Sequence, residues 1–178
     1  MAPPRAEDLF RHLDDLRTDS YEGSGPRAER VERFGTAVQL LGPVVRRVLE
    51  DADATFLAGS GEISEHGPAQ DGGGWTARWE LSWPEQRTTT PIRGGVDRLA
   101  PVQVVAWFAS TFTHPHLAGA WAGQDPLIAH WPMQVTSQAD AERQEPLLWA
   151  IVEAELHQRV YEGGWRVLPG YPRWSAGG

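Results

Sequence analysis

The chain contains no cysteine. That removes thiol nucleophiles, disulfides, iron–sulfur clusters and thiolate-bound zinc from the available chemistry. Lysine is missing as well, since all 16 basic side chains are arginine. No Schiff base, lysine-held pyridoxal phosphate or P-loop lysine can therefore form. Long apolar runs are also lacking. No stretch approaches the ~20 residues that a bilayer-spanning helix needs. The opening MAPPRAEDLFRHLDD is charged throughout, unlike a signal peptide, and predicts a cytoplasmic location. Positive charge is in deficit: the net charge of −8 argues against a general nucleic-acid binder, which would need a basic face.

What is present is an ordinary globular mixture, 40% apolar and 22% charged over 178 residues, with nine tryptophans to weight the core toward aromatic packing. One domain over 1–178 is expected. The turn-rich DSYEGSGP leaves residues 1–20 as a loosely attached amphipathic helix carrying Leu9, Phe10, Leu13 and Leu16, and 170–178 reads as a fraying tail.

A kinked helix, or two helices in succession about Pro43, is predicted from about 26 to 51, where Val31, Phe34, Val38, Leu41, Val45 and Val48 recur at steps of three and four. A strand is expected within 54–64, a loop at 65–74, and the clearest strand in WTARWELSW. There Trp75, Ala77, Trp79, Leu81 and Trp83 share a face directed at the core. Residues 90–99 read as a third strand. Residues 101–113 carry both helical and strand signals, with the helical one favoured, and 130–135 as a short strand. A final helix is predicted over 138–162, capped by Ser137 and stopped at Gly163–Gly164, with Glu155 and Arg159 paired on its outer face. The fold class is α+β: a small, mainly antiparallel sheet of three to four strands against long N-terminal and C-terminal amphipathic helices.

Candidate chemistry centres on histidine. THPHLAGAWAGQDPLIAHW, residues 113–131, carries His114, His116 and His130. With Asp125 they make a candidate metal set suited to a divalent ion such as zinc, although the spacing matches no known metal motif. His157 has Glu153 one helical turn before it, the pairing that prepares an imidazole as general base, and His114 could complete a catalytic group with them. The acidic cluster Glu50, Asp51 and Asp53 is expected at a helix end, where the dipole disfavours it. The glycine stretches match no phosphate loop, and GxSxG, HExxH and EF-hand patterns are absent.

Within residues 79–131, Trp79, Pro84, Gly94–Gly95, the FTHPHL segment and HWP follow one another in an order that faintly resembles the centre of ubiquitin-conjugating enzymes. The tripeptide is HPH and no cysteine follows, so the resemblance implies at most a non-catalytic binding relative and transfers no functional residue. No catalytic constellation has diagnostic spacing. The expectation is accordingly a small acidic, non-enzymatic binding or accessory protein without an organic cofactor. Its partner would be a protein, a second copy included, or a small molecule, rather than nucleic acid or a membrane. The alternative is a small enzyme using the histidine and carboxylate groups for acid–base or metal-assisted chemistry.

Overall fold

Among the described residues, five antiparallel strands follow one another across a single sheet in sequence order, with helices on either side of it in the chain. The computed structural model describes residues 6–120 and 129–171. The elements are α1 (Ala6–Thr18), α2 (Arg27–Phe56), β1 (Glu62–Asp71), β2 (Gly74–Ser82), α3 (Pro84–Thr88), β3 (Val102–Phe108), β4 (His116–Ala118), β5 (Trp131–Pro132), α4 (Gln138–Arg143) and α5 (Glu145–Gly163), then a 3-10 turn at Trp165–Val167. The α+β class stands, and the sheet has five strands rather than three or four. Among the described residues no helix is long and apolar enough to cross a membrane.

The core lies between the sheet and the two long helices. Phe34, Leu41, Val45 and Val48 of α2 meet Ala77, Trp79 and Leu81 of β2 and Val102, Val104 and Phe108 of β3, all buried. Leu148, Val152 and Leu156 close the core from α5. The tryptophan face of β2 is thus core, with Trp79 and Trp83 buried and Trp75 partly so. Pro43 does not divide α2, which is one helix to Phe56. The backbone bond lost at proline costs about 3 kcal/mol. Burial of Leu41, Val44 and Val45 on either side of it offsets that loss.

The strand expected within 54–64 begins only at Glu62, because α2 runs on to Phe56, and four further expectations fail for identifiable reasons. Residues 65–74 are not a loop but most of a hairpin, paired from Glu62↔Ser82 to Asp71↔Gly74 with a one-residue register shift between His66 and Ala69, and turned at Gly72–Gly73, both glycines at positive φ. β1 is an exposed edge strand, so its sequence lacks the alternation that burial imposes, and Pro68 is tolerated there. Residues 102–108 form a strand, not a helix. Val102, Val104, Val105, Ala106 and Phe108 are all buried, and a strand covered on both faces loses its period of two. Residues 90–99 form no strand; the amides of Ile92 and Arg93 instead donate to the Glu162 carbonyl near the end of α5 (2.7 and 3.1 Å). Finally, the helix predicted over 138–162 is two helices, broken at Gln144 just before Pro146, which cannot donate a backbone bond. Both ends of this segment follow their local signals. The Ser137 hydroxyl accepts from the Asp140 amide (3.1 Å), and Gly164 leaves α5 at φ 82°.

Candidate functional site: a histidine cluster beneath the first helix

The amphipathic helix α1 docks with its polar side. Asp8, His12 and Asp15 are buried, whereas Leu9, Phe10, Leu13 and Leu16 are 49–68% exposed. The body supplies the reason, because the surface beneath α1 is polar. Asp15 accepts from the Ser20 hydroxyl (3.0 Å), the Glu22 amide (3.0 Å) and the Gln134 side-chain amide (2.9 Å). Asp8 accepts from Gln144 Nε2 (3.0 Å). Arg11 binds Asp140 (3.1 Å) and Glu22. Asp140 also takes the Thr136 amide and hydroxyl (2.9 and 2.7 Å). Burial alone would raise its carboxyl, but these two bonds and Arg11 together hold it well below the usual carboxylate range.

His12 carries this polar face onto three further imidazoles. Ring centroids of His12 and His114 lie 4.2 Å apart, His114 and His116 4.8 Å, and His116 and His130 4.5 Å. Phe112 packs edge-on to His116 at 5.0 Å and Trp107 against Phe112 at 5.1 Å, so the chain of rings rests on an aromatic floor. β4 positions His116 through Trp107↔His116 and His116↔Pro132, and the Met133 amide binds the Pro115 carbonyl (3.0 Å). Two arginines from the start of α2 brace the turn that delivers His114. Arg27 donates to the Phe112 carbonyl (2.9 Å) and Arg30 to the Thr113 carbonyl (3.2 Å).

Burial sets the charge state. His116 is pushed down to about 3, first by burial and then by its neighbours His114, His130 and His12. His114 falls to about 4, by burial and His12, with Asp15 opposing and Arg30 adding to the fall. His12 is also lowered by burial, again against Asp15. These imidazoles are neutral at pH 7 and are poor bases there, whereas a general base works best with a pKa near the operating pH. His130 alone of the four is exposed. Thr113 Oγ1 lies 2.8 Å from His114 Nδ1, while Nδ1 of His12 and of His116 are buried without a hydrogen-bond partner among the described residues.

The histidines of residues 113–131 therefore do converge, and Asp125 lies outside the described residues. Among those residues no group of three or more His, Cys, Asp or Glu is arranged to hold a metal ion. His157 and Glu153 both sit exposed on α5. No hydrogen bond, ion pair or ring contact joins His157 to the cluster among the described residues. The buried carboxylates of α5 are instead Glu155 and Glu162, which flank Arg159 at 2.8 and 3.8 Å, and Arg159 is 1% exposed. The Glu155–Arg159 pair was expected on the outer face. It faces inward because Arg159 ties down the Ala100 and Pro101 carbonyls (2.6 and 3.0 Å) leading into β3. Burial raises Glu155, against Arg159 and the amides of Ala120 and Gln103. Asp53 is no helix-end charge either, for α2 runs past it and its side chain accepts from the Gly61 amide (2.7 Å).

His12 was missed from sequence. Its signal was the polar row Asp8–His12–Asp15, spaced four and three and running parallel to the apolar one. Compared with family models, curated proteins and solved structures, the chain matches none.

Proposed function

We propose that the protein is a non-enzymatic binding or accessory protein of the cytoplasm, and that its binding face is the outward apolar side of α1. One observation carries the reading: a helix docked by its charged side leaves Leu9, Phe10, Leu13 and Leu16 exposed together. Single exposed apolar residues are ordinary on a surface, whereas a contiguous row rimmed by charge marks an interaction site. Cysteine-free composition supports the location. The test is binding of an environment-sensitive apolar dye, read beside self-association, in the intact chain and in Phe10→Glu and Leu13→Glu. Retained secondary structure with loss of either response is expected. A chain that shows neither response at this face overturns the reading.

A second reading, a histidine site for acid–base or metal-assisted chemistry, is favoured by the two unpartnered Nδ1 atoms. It ranks below the first because no metal-holding trio is formed among the described residues and the imidazoles are far from neutral pKa. Metal analysis of the purified protein and of His116→Ala tests it. Stoichiometric metal, lost in the variant, would reverse the ranking.

A further inference from the structure

The occupant of the α1 face can be named from the helix itself. We infer that α1 pairs with α1 of a second copy of this chain, antiparallel and about a two-fold axis near His12. The inference rests on the binding-face reading above and adds the partner.

Three features of the helix select that arrangement. First, Leu9, Leu13 and Leu16 are spaced four and three, the seam of two helices packed side by side. Beside the seam runs an open groove of about 570 Å³, walled by Ala6, Phe10 and Leu13 and edged by Glu7, Asp14 and Arg17. A ridge flanked by a groove on one surface is self-complementary under a two-fold axis, which presents the same patch from both partners. Second, the charges are divided by position, with Glu7 in the first turn and Arg17 in the last. In a parallel pair each would meet its like. In an antiparallel pair centred near His12, Glu7 of one copy comes opposite Arg17 of the second, and the two helix dipoles oppose. Arg17 is free to be shared, because its present partner Asp14 (2.9 Å) is the exposed neighbour three residues before it. Third, the buried face is committed. Asp8, His12 and Asp15 hold α1 on its own body, so pairing needs no release of the helix.

The area fixes the strength. Half of three leucines and two thirds of a phenylalanine amount to roughly 400 Å² per copy and 800 Å² per pair, below the ~1,200 Å² at which stable specific interfaces begin and in the range of weak, transient contacts. The pair is therefore weak, and forms as concentration rises rather than as a permanent dimer.

Sedimentation of the full chain over a range of concentrations decides the matter. Concentration-dependent dimerisation is expected, with a dissociation constant raised at least about tenfold by Leu13→Glu. Glu7→Arg and Arg17→Glu, both at the surface, should each weaken it severalfold, and the double exchange should restore it. These charge variants keep the test valid should Leu13→Glu disturb the helix. A chain monomeric throughout overturns the second-copy inference, while dye binding to α1 would leave the binding-face reading standing. A dimer indifferent to Leu13→Glu overturns it too, as does a dimer in which the double exchange fails to rescue.

Discussion

Helices α1 and α2 are both amphipathic, yet they meet the body of the protein with opposite faces. α2 turns Phe34, Leu41, Val45 and Val48 inward against the sheet. α1 turns Asp8, His12 and Asp15 inward and leaves its leucines in water. Amphipathicity identifies a helix with two faces, but the surface on offer decides which is buried. α2 lies over the apolar face of β2 and β3, whereas α1 lies over Gln134, Gln144, Asp140 and a row of imidazoles. The contrast also separates two ways of holding a helix. Apolar burial is additive and tolerant of direction, whereas a polar dock loses stability for each buried donor or acceptor it leaves without a partner, as at Nδ1 of His12.

The largest expected effect lies in the second buried polar dock, on α5. Arg159→Met should cost about 3–5 kcal/mol in chemical denaturation, because Glu155 and Glu162 would stay buried without their cation. A loss under about 1 kcal/mol would mean that polar contacts of this kind contribute little here. Next, Leu41→Ala in α2 should cost about 2–5 kcal/mol, the usual penalty for a cavity in a close-packed core.

The histidine cluster gives the comparison a pH axis. Folded-state values of about 4 for His114 and about 3 for His116 lie below the ordinary value of 6.5. Between these limits the unfolded chain binds more protons than the folded one. The contribution is fully present above pH 6.5 and is lost as pH falls toward 4 and then 3. Each imidazole contributes a slope of at most about 1.4 kcal/mol per pH unit. His116→Phe should flatten that slope in thermal melts between pH 6.5 and 4; an unchanged slope would exclude the imidazole as its source. Ser137→Ala, which removes the cap of α4, should cost about 1 kcal/mol. The smallest effect is the sharpest counterpart to Leu41. Leu13→Ala in α1 should stay within about 0.5 kcal/mol for the monomer, since its side chain is already half in water.

Much of the fold was legible in particular residues. The period of Val31 to Val48 gave α2, the alternation from Trp75 to Trp83 gave β2 and its buried face, and Ser137 and Gly164 marked helix ends. β1 and β3 were not legible, for opposite reasons. One is too exposed and the other too buried to show a period of two, and both are defined by their pairing with β2. The candidate site was half legible. Proximity in sequence suggested His114, His116 and His130, but nothing local linked them to His12 from a helix a hundred residues earlier. His157 illustrates the converse. A carboxylate one turn before an imidazole is a common surface spacing, and the buried chemistry of α5 passed to Glu155 and Arg159 instead.

The sequence by itself determined what chemistry is closed to this protein, because a missing thiol or amine cannot be restored by folding. It also determined where the long apolar periods run, because burial writes them locally. Only the tertiary structure decided which face of α1 is hidden, which histidines meet and which charges are enclosed. Those outcomes depend on the surface a distant part of the chain presents, and no spacing within a single element encodes it.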